Sequence, residues 1–406
     1  MFEGLLWSGR AREAAELAER GLNGLKEDPA SRAYLAAVMG LVNGLNGRYE
    51  SARKSFNEAI SIGTGLEDRS LVARIQAYLA VCNFYYVQLR DALENGRKSA
   101  DLGAAAGSTW SRAIGLSRVQ VSLHHLGRIE EATAVTGELE PLARRIGHFA
   151  ALSFCTWSQA WTDFGKDADF ARLTKRLAEE LEFNRTAKIP LLLTPTLAQF
   201  SVIEFLRGNQ AAALDYAGQA MELAPFPVML GFGDGAKFRQ MAYAGDRSGA
   251  MALLEQSRSK LPHSGGANTI GSWAMLLSVV EGLYVLGERR AAGEYYPLFQ
   301  ELIGTGVVCM GWVARFPQTI AGVAAAAARK WSVAQEHFAA ALRQAQEFPH
   351  RLEVAEIQRF QAMMLIDRGR RGDLERVGQL LDAALNTYEQ MGMPRHTERT
   401  RALAIR

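Results

Sequence analysis

One pattern occurs twice in succession between Phe205 and Pro262, and it constrains the fold more than any other feature of the chain. Each copy has a turn glycine, then small or apolar residues five, nine and twelve positions later, and a proline seventeen positions later. The two copies are Gly208, Ala213, Ala217, Ala220, Pro225 and Gly245, Ala250, Leu254, Ser257, Pro262. This order of residues predicts one helix of a helical hairpin, preceded by a tight turn.

Turn glycines recur along the whole chain at intervals of about 40 residues or twice that distance. They are Gly9, Gly47, Gly127, Gly165, Gly208, Gly245 and Gly287, with Leu89 and Arg329 at the expected positions without glycine. Almost every window between them has apolar residues at helical spacing, and few windows alternate with the period of a strand. The sequence therefore predicts stacked helical hairpins, because such a unit buries its apolar face only against its neighbours.

The helical spacing predicts a first series of helices, followed by others up to the C-terminus. They are Leu5–Leu25, Ala30–Leu45, Ala52–Ile62, Leu71–Leu89, Trp110–Leu126, Ile129–Ile146, Leu152–Phe164, Phe170–Leu181, Thr196–Leu206 and Ala211–Leu223. Asp28 followed by Pro29 fits an N-cap with proline at the first helical position.

The residues after Gly47 carry a more specific pattern. Tyr49, Ala52, Phe56 and Ala59 follow this glycine, and a comparable small-x-x-x-aromatic spacing follows Gly287 and Arg329. The pattern resembles the second helix of the tetratricopeptide (TPR) repeat. The resemblance implies an all-α, TPR-like α-solenoid, a right-handed superhelix of about ten hairpins. It also implies one domain over residues 1–406, with the first repeat truncated at the N-terminus.

Charge and composition indicate an ordinary soluble protein. The net charge is +3 and 22% of the residues are charged, without a long basic run. The short cluster Arg368, Arg370 and Arg371 is flanked by Asp367 and Asp373, and it lacks aromatic residues for base stacking. Nucleic acid is therefore not an expected partner.

The sequence contains no constellation that indicates catalysis. It lacks G-x-x-x-x-G-K-S/T, G-x-S-x-G, H-E-x-x-H and C-x-x-C segments. Cys82, Cys155 and Cys309 are far apart, and the adjacent His124 and His125 would project about 100° apart on a helix. We therefore expect no catalytic residue, no metal site and no cofactor, and we do not expect an enzyme.

The most apolar windows are too short for a membrane span. They are Trp273–Leu286, which Glu281 interrupts, and Ile320–Ala328, whereas a span needs about 20 residues. No basic region precedes an apolar run at the N-terminus. A soluble, cytoplasmic protein is expected.

The TPR resemblance implies that the first helix of each hairpin lines a concave groove that holds a protein or peptide partner. Polar or aromatic residues on these otherwise apolar helices are the predicted partner-binding residues. They are Tyr34, Gln76, Asn83, Tyr86, His124, Gln159 and Asp163. The alternative is that they are ordinary packing residues between helices.

Both ends of the chain carry further predictions. Phe2, Leu5, Leu6 and Trp7 would leave an apolar edge, which a preceding segment or a second subunit could cover to give a homo-oligomer. The stretch 367–395 resembles the last repeats of large bacterial signalling ATPases, in which a TPR arm follows a nucleotide-cyclase or helix-turn-helix module.

Two functions follow from these features. The first is a non-catalytic protein-interaction or regulatory arm of a bacterial signalling or transcription-regulating protein. The alternative is an effector-sensing domain of a transcriptional activator or nucleotide cyclase, with a small molecule bound among Trp157, Trp161 and Phe200.

Overall fold

The chain folds into consecutive antiparallel α-helices joined by tight turns. The structure is a computed structural model, and it describes residues 2–24, 28–186, 188–224 and 226–404. Within these ranges, the only strand-like feature is one isolated antiparallel bridge between Met310 and Arg315. Among the described helices, none is both long enough and apolar enough to cross a lipid bilayer.

The α-helices are α1 (Phe2–Trp7), α2 (Ala11–Gly24), α3 (Pro29–Leu45), α4 (Tyr49–Gly65), α5 (Arg69–Tyr85), α6 (Leu89–Ala105), α7 (Thr109–His125), α8 (Ile129–Ile146), α9 (Phe149–Asp167), α10 (Phe170–Thr186), α11 (Pro190–Leu206), α12 (Gln210–Leu223), α13 (Phe232–Ala244), α14 (Arg247–Ser257), α15 (Ile270–Leu286), α16 (Arg289–Glu294), α17 (Tyr296–Gly304), α18 (Pro317–Ala327), α19 (Trp331–Glu347), α20 (Arg351–Arg368), α21 (Leu374–Met391) and α22 (Pro394–Ala404).

These helices form ten hairpins followed by α22. The first helices of the hairpins are α1, α3, α5, α7, α9, α11, α13, α15, α18 and α20. Most first helices also pack on the first helix of the next hairpin, as α3 does on α5 and α5 on α7. This side-by-side stacking confirms the predicted all-α, TPR-like solenoid.

The turn inside each hairpin contains one residue with a left-handed backbone. These residues are Gly9, Gly47, Val87, Gly127, Ala168, Gly208, Gly245, Gly287, Arg329 and Gly369, at intervals of about 40 residues. The expected turn at Arg329 is confirmed. Two predicted positions are wrong, because Leu89 begins α6 after the turn at Val87, and Gly165 lies within α9 before the turn at Ala168.

Several predicted helix bounds also differ. The turn at Gly9 splits the predicted helix Leu5–Leu25 into α1 and α2, and α6 was missing from the predicted series. Helix α11 begins earlier than predicted because Pro190 occupies its first turn, where a proline needs no hydrogen-bond donor. Pro225 and the side chains of Phe2 and Trp7 lie outside the described residues.

Glycines on first helices accommodate aromatic rings from second helices. A Cβ atom on Gly40 would lie 2.9 Å from the ring of Phe56, and one on Gly322 would lie 2.7 Å from the ring of Phe338. Both aromatic residues belong to the small-x-x-x-aromatic pattern. The pattern therefore has a packing cause: the ring takes the space that a missing side chain leaves on the partner helix.

The segment 305–316, which connects α17 to α18, folds back onto helices of the first half of the chain. The backbone N–H groups of Val308 and Cys309 both donate to the carbonyl of His125, at 2.8 and 3.2 Å. Trp312 is buried, and its ring lies 5.9 Å from that of Phe84 and 5.0 Å from that of Trp157. The chain itself therefore fills part of the space that a superhelix encloses.

Helix α1 packs on α2, and the Leu6 side chain is buried. Leu6 lines a small apolar cavity together with Tyr78, Trp110 and Leu191, among others. Coverage of this edge by a second subunit stays a prediction.

Candidate functional site

Four of the seven predicted partner-binding residues are buried by the protein's own chain. These are Gln76, Asn83, Tyr86 and His124. The Tyr86 hydroxyl donates to the carbonyl of Gly44 at 2.9 Å, and its burial accounts for a raised pKa. A partner does not reach these four side chains unless the structure rearranges.

The surroundings of His124 show how this burial arises. Its Nδ1 atom lies 3.0 Å from the Ser158 hydroxyl, and rings of Trp157 and Phe348 lie 4.6 and 5.4 Å from its own. Burial lowers the pKa of His124 well below its ordinary value, so this side chain is neutral at neutral pH.

The other three predicted residues, Tyr34, Gln159 and Asp163, are half-buried. Asp163 forms ion pairs with Arg172 at 2.9 Å and with Arg176 at 3.2 Å. These two arginines belong to the second helix of the same hairpin, so they join helices within a repeat. That a partner contacts any of the seven residues stays a prediction.

The residues predicted for an effector pocket, Trp157, Trp161 and Phe200, are all buried. The Trp161 indole N–H donates to the Gln199 side chain at 2.6 Å. A Cβ atom on Gly311 would lie 2.8 Å from the Trp157 indole, so the segment 305–316 packs directly against that ring. Effector binding among these three residues stays a prediction.

Tyr34 belongs to a row of side chains that sequence reasoning did not join. The row, which we name the aromatic ladder, consists of Tyr34, Arg74, Trp110 and His148. The Arg74 guanidinium lies 5.5 Å from the centre of the Tyr34 ring and 5.3 Å from that of the Trp110 ring. The Trp110 and His148 rings are 6.3 Å apart. All four side chains are half-buried.

The ladder crosses four successive hairpins at one end of their first helices. Tyr34, Arg74 and Trp110 lie in the first two turns of α3, α5 and α7, and His148 is the N-cap of α9. Residues one repeat apart lie side by side in a solenoid, which explains why side chains about 40 positions apart meet. The signal in the sequence was that Tyr34 and Arg74 each lie five residues after the start of their helices, whereas Trp110 and His148 lie closer to the starts of theirs.

The chemistry of the ladder is aromatic and cationic. Burial lowers the pKa of His148 to about 4, so its neutral ring accepts a hydrogen bond from the Ala151 N–H at 3.1 Å. Arg74 therefore supplies the ladder's positive charge, and within the described ranges no carboxylate pairs with it. The neighbouring Phe149 is 48% exposed, and its ring lies 4.7 Å from that of Phe183.

A second feature that the sequence did not predict is a buried network of charges among α13, α15, α20 and the segment 305–316. Glu281 accepts hydrogen bonds from Arg315, Arg239 and Tyr243. Burial opposes ionisation of Glu281, but Arg315 and Arg239 outweigh it and lower its pKa to about 2. The sequence signal was Glu281 itself, a carboxylate within an apolar window.

The network continues through Glu356. This carboxylate accepts from Arg315 at 2.9 Å, from Arg359 at 2.7 Å and from the Tyr388 hydroxyl at 2.6 Å. All these side chains are buried, and His396 of α22 covers them. In the part of the chain that the structure describes, no group of three or more His, Cys, Asp or Glu side chains could hold a metal ion.

Comparisons with known proteins leave the family open. No protein-family model matches the sequence, and no curated protein matches it. The crystal structure of yeast Tom70 is 12% identical over 93% of this chain and 91% of that chain, with a TM-score of 0.29. The structure of Naa15/Naa10 bound to HypK-THB is 12% identical over 97% of this chain and 65% of that chain, with a TM-score of 0.22. The assignment of the chain to an all-α solenoid therefore rests on its own stacked hairpins.

Proposed function

We propose that this protein is a non-catalytic protein-interaction scaffold that binds a peptide segment of its partner along the aromatic ladder. The observation that carries the proposal is a row of half-buried side chains across four successive repeats, in which the Arg74 guanidinium contacts the rings of Tyr34 and Trp110 and Trp110 contacts His148. Rigid aromatic side chains and arginine supply much of the binding energy at protein interfaces, because they bury a large area with few rotatable bonds.

The ladder fits a segment that contains a carboxylate beside an aromatic or apolar side chain. A carboxylate of the partner would pair with Arg74, which contacts two rings and forms no ion pair within the described chain. An adjacent apolar side chain would cover Trp110 or Tyr34, and Phe149 extends the apolar surface beyond His148. The sequence predicted Tyr34 as a partner-binding residue, and this proposal adds Arg74 and Trp110 of the neighbouring first helices to the same site.

Phage display of random twelve-residue peptides on the purified full chain tests this proposal. We expect enriched peptides to carry Asp or Glu next to an aromatic or large apolar residue. Fluorescence polarisation then compares one enriched peptide on the wild type, on Arg74→Glu and on Trp110→Ala. A weakening of about tenfold or more is expected for each variant, because each loses one buried interfacial contact.

Arg53→Glu is the matched control, because Arg53 is 58% exposed on the second helix α4 and pairs loosely with Glu50 at 3.9 Å. It should bind the peptide like the wild type. Enriched peptides that bind Arg74→Glu and Trp110→Ala with unchanged affinity would contradict the ladder as the binding site.

We also propose a context for this scaffold. It acts as one domain over residues 1–406, as the regulatory arm of a bacterial signalling or transcription-regulating protein in the cytoplasm. The resemblance of the stretch 367–395 to TPR arms of signalling ATPases supports this proposal. Crosslinking in the native cells tests this context. We expect crosslinks to a nucleotide cyclase or a helix-turn-helix regulator, and we expect Arg74→Glu to reduce their yield. Crosslinks that exclude both classes would contradict it.

A further inference from the structure

A cavity of about 240 Å³ lies beside the C-terminal helix α22, away from the aromatic ladder. Its lining residues are Val285, Leu286, Gly287, Arg289, Arg359, Met363, Arg399, Ala402 and Leu403. Three of these residues are arginines and none is acidic. The wall of this cavity therefore combines positive charge with apolar surface.

Two of the arginines form ion pairs with carboxylates that lie behind the cavity wall. Arg289 donates to Asp367 at 2.6 Å, and Arg359 donates to Glu356 at 2.7 Å. Glu356 also accepts from the buried Arg315, so one carboxylate serves two guanidiniums. Glu281 in turn accepts from both Arg315 and Arg239. Three buried guanidiniums therefore face two carboxylates, which leaves a surplus of positive charge behind the wall.

Arg399 adds to this surplus. Its Nε and Nη2 atoms donate to the carbonyl of Tyr243 at 2.8 and 2.6 Å, and Nη2 also lies 3.2 Å from the carbonyl of Ala242. These carbonyls end helix α13 and carry only partial charge. Within the described residues, no hydrogen bond uses the Nη1 atom of Arg399, and no carboxylate pairs with this side chain.

We propose that this cavity binds a small organic anion. Its charged oxygens would accept hydrogen bonds from Arg399 and from the neighbouring guanidiniums, which offsets the surplus charge. Its carbon skeleton would pack against Val285, Leu286 and Met363. The volume lies below the roughly 300–1,000 Å³ of typical drug-sized ligand sites, so a short dicarboxylate fits this site better than a nucleotide.

Isothermal titration calorimetry with glutarate tests this inference. The titrations use the full chain, and sodium chloride keeps the ionic strength constant. We expect glutarate to bind the wild type and to bind Arg399→Gln at least about tenfold more weakly, because a charged hydrogen bond is lost. Arg290→Gln is the matched control, since Arg290 lies on the neighbouring surface with its side chain 96% exposed. It should bind glutarate like the wild type.

A second pair of variants keeps the test independent of any damage from removing Arg399. Ala402 is exposed and lines the cavity, so Ala402→Glu places a carboxylate there and Ala402→Gln is its uncharged match. We expect Ala402→Glu to melt at a higher temperature than Ala402→Gln without glutarate and to bind glutarate more weakly. The inference is overturned if the two variants melt and bind alike, or if glutarate does not bind the wild type.

Discussion

Arg315 and Glu281 form a buried, two-fold hydrogen-bonded ion pair at the centre of the second half of the solenoid. The Nε and Nη2 atoms of Arg315 donate to the two carboxylate oxygens of Glu281 at 2.7 and 2.8 Å, and both side chains are fully buried. Arg315 lies on the segment 305–316, whereas Glu281 lies within helix α15. The pair therefore ties that segment to the stacked first helices.

Replacing Arg315 with methionine should destabilise the protein strongly. The change leaves two buried carboxylates short of a partner, which costs about 3–5 kcal/mol of unfolding free energy. Urea unfolding of Arg315→Met measures this cost. The matched change Arg112→Met removes an ion pair with Glu138, in which the Arg112 side chain is 39% exposed and that of Glu138 is 49% exposed. Arg112→Met should lower the unfolding free energy by less than about 1 kcal/mol. Equal losses of unfolding free energy for the two variants would show that the buried pair stabilises the protein no more than an exposed pair does.

A methyl group on Gly115 should also destabilise the fold, because helices α6 and α7 meet there through their backbones. A Cβ atom at this position would lie 2.6 Å from the carbonyl oxygen of Gly96 and 2.7 Å from the amide nitrogen of Ala100. We expect Gly115→Ala to lower the unfolding free energy by about 1–3 kcal/mol. Gly137→Ala, in the helix α8 with open space around it, should instead raise stability by up to about 1 kcal/mol. Thermal unfolding that shows a gain for both variants would refute this close approach.

Replacing the turn residue Arg329 with glycine should stabilise the protein. Arg329 is exposed, and its left-handed φ of 59° is a conformation that glycine adopts with less strain. Arg329→Gly should therefore stabilise the protein by roughly 0.5–1 kcal/mol in urea unfolding, after the larger entropy of an unfolded glycine is allowed for. Arg343→Gly, at an exposed position inside helix α19, should destabilise it by about 1 kcal/mol. A loss of stability in Arg329→Gly would contradict the strained turn.

Glu180 should make stability depend on pH in the direction opposite to that of a paired carboxylate. Burial raises its pKa to about 7. Hydrogen bonds from Ser153, Thr196 and Asn184 act in the opposite direction and lower the pKa, but burial has the larger effect. Because the folded state holds this proton more tightly than the unfolded state, the contribution of Glu180 is full below pH 4.5. It is lost as the pH rises towards and past 7, by on the order of 3 kcal/mol.

Urea unfolding between pH 4.5 and 8 of the wild type and Glu180→Gln measures this contribution. The wild type should lose stability relative to Glu180→Gln as the pH rises, because the amide of the variant does not ionise. The adjacent Glu179 is exposed, so Glu179→Gln should follow the pH profile of the wild type. Parallel profiles for the wild type and Glu180→Gln would contradict the raised pKa.

The repeat pattern in the sequence was sufficient to predict the hairpin solenoid, but it located turns less accurately where glycine was absent. Val87 and Ala168 adopt the left-handed conformation with side chains that give no local signal for it. At Gly165 the glycine serves close packing instead, since a Cβ atom there would lie 2.6 Å from the carbonyl oxygen of Pro349. A glycine in the sequence therefore indicates either a turn or a close contact, and spacing does not separate the two.

The candidate site was predicted less completely than the fold. Tyr34 was identified, but its contact with Arg74 joins side chains 40 positions apart, and the burial of His124 depends on Phe348 and on Trp157, which Trp312 covers. Such contacts arise from the way the superhelix curves and from a connecting segment without helical periodicity. Neither property is present in the pattern of a single repeat.

The sequence by itself determined most of the helices, their pairing and the period of about 40 residues, because helical spacing of apolar side chains and turn chemistry are local properties. Only the tertiary structure decided which first-helix residues remain accessible, because the segment 305–316 covers some of them and leaves the aromatic ladder half-exposed. It also decided where opposite charges meet, since Arg315 lies 34 positions from Glu281 and 41 from Glu356. Burial and long-range pairing depend on how repeats stack, and the energy of that stacking is a property of the whole array.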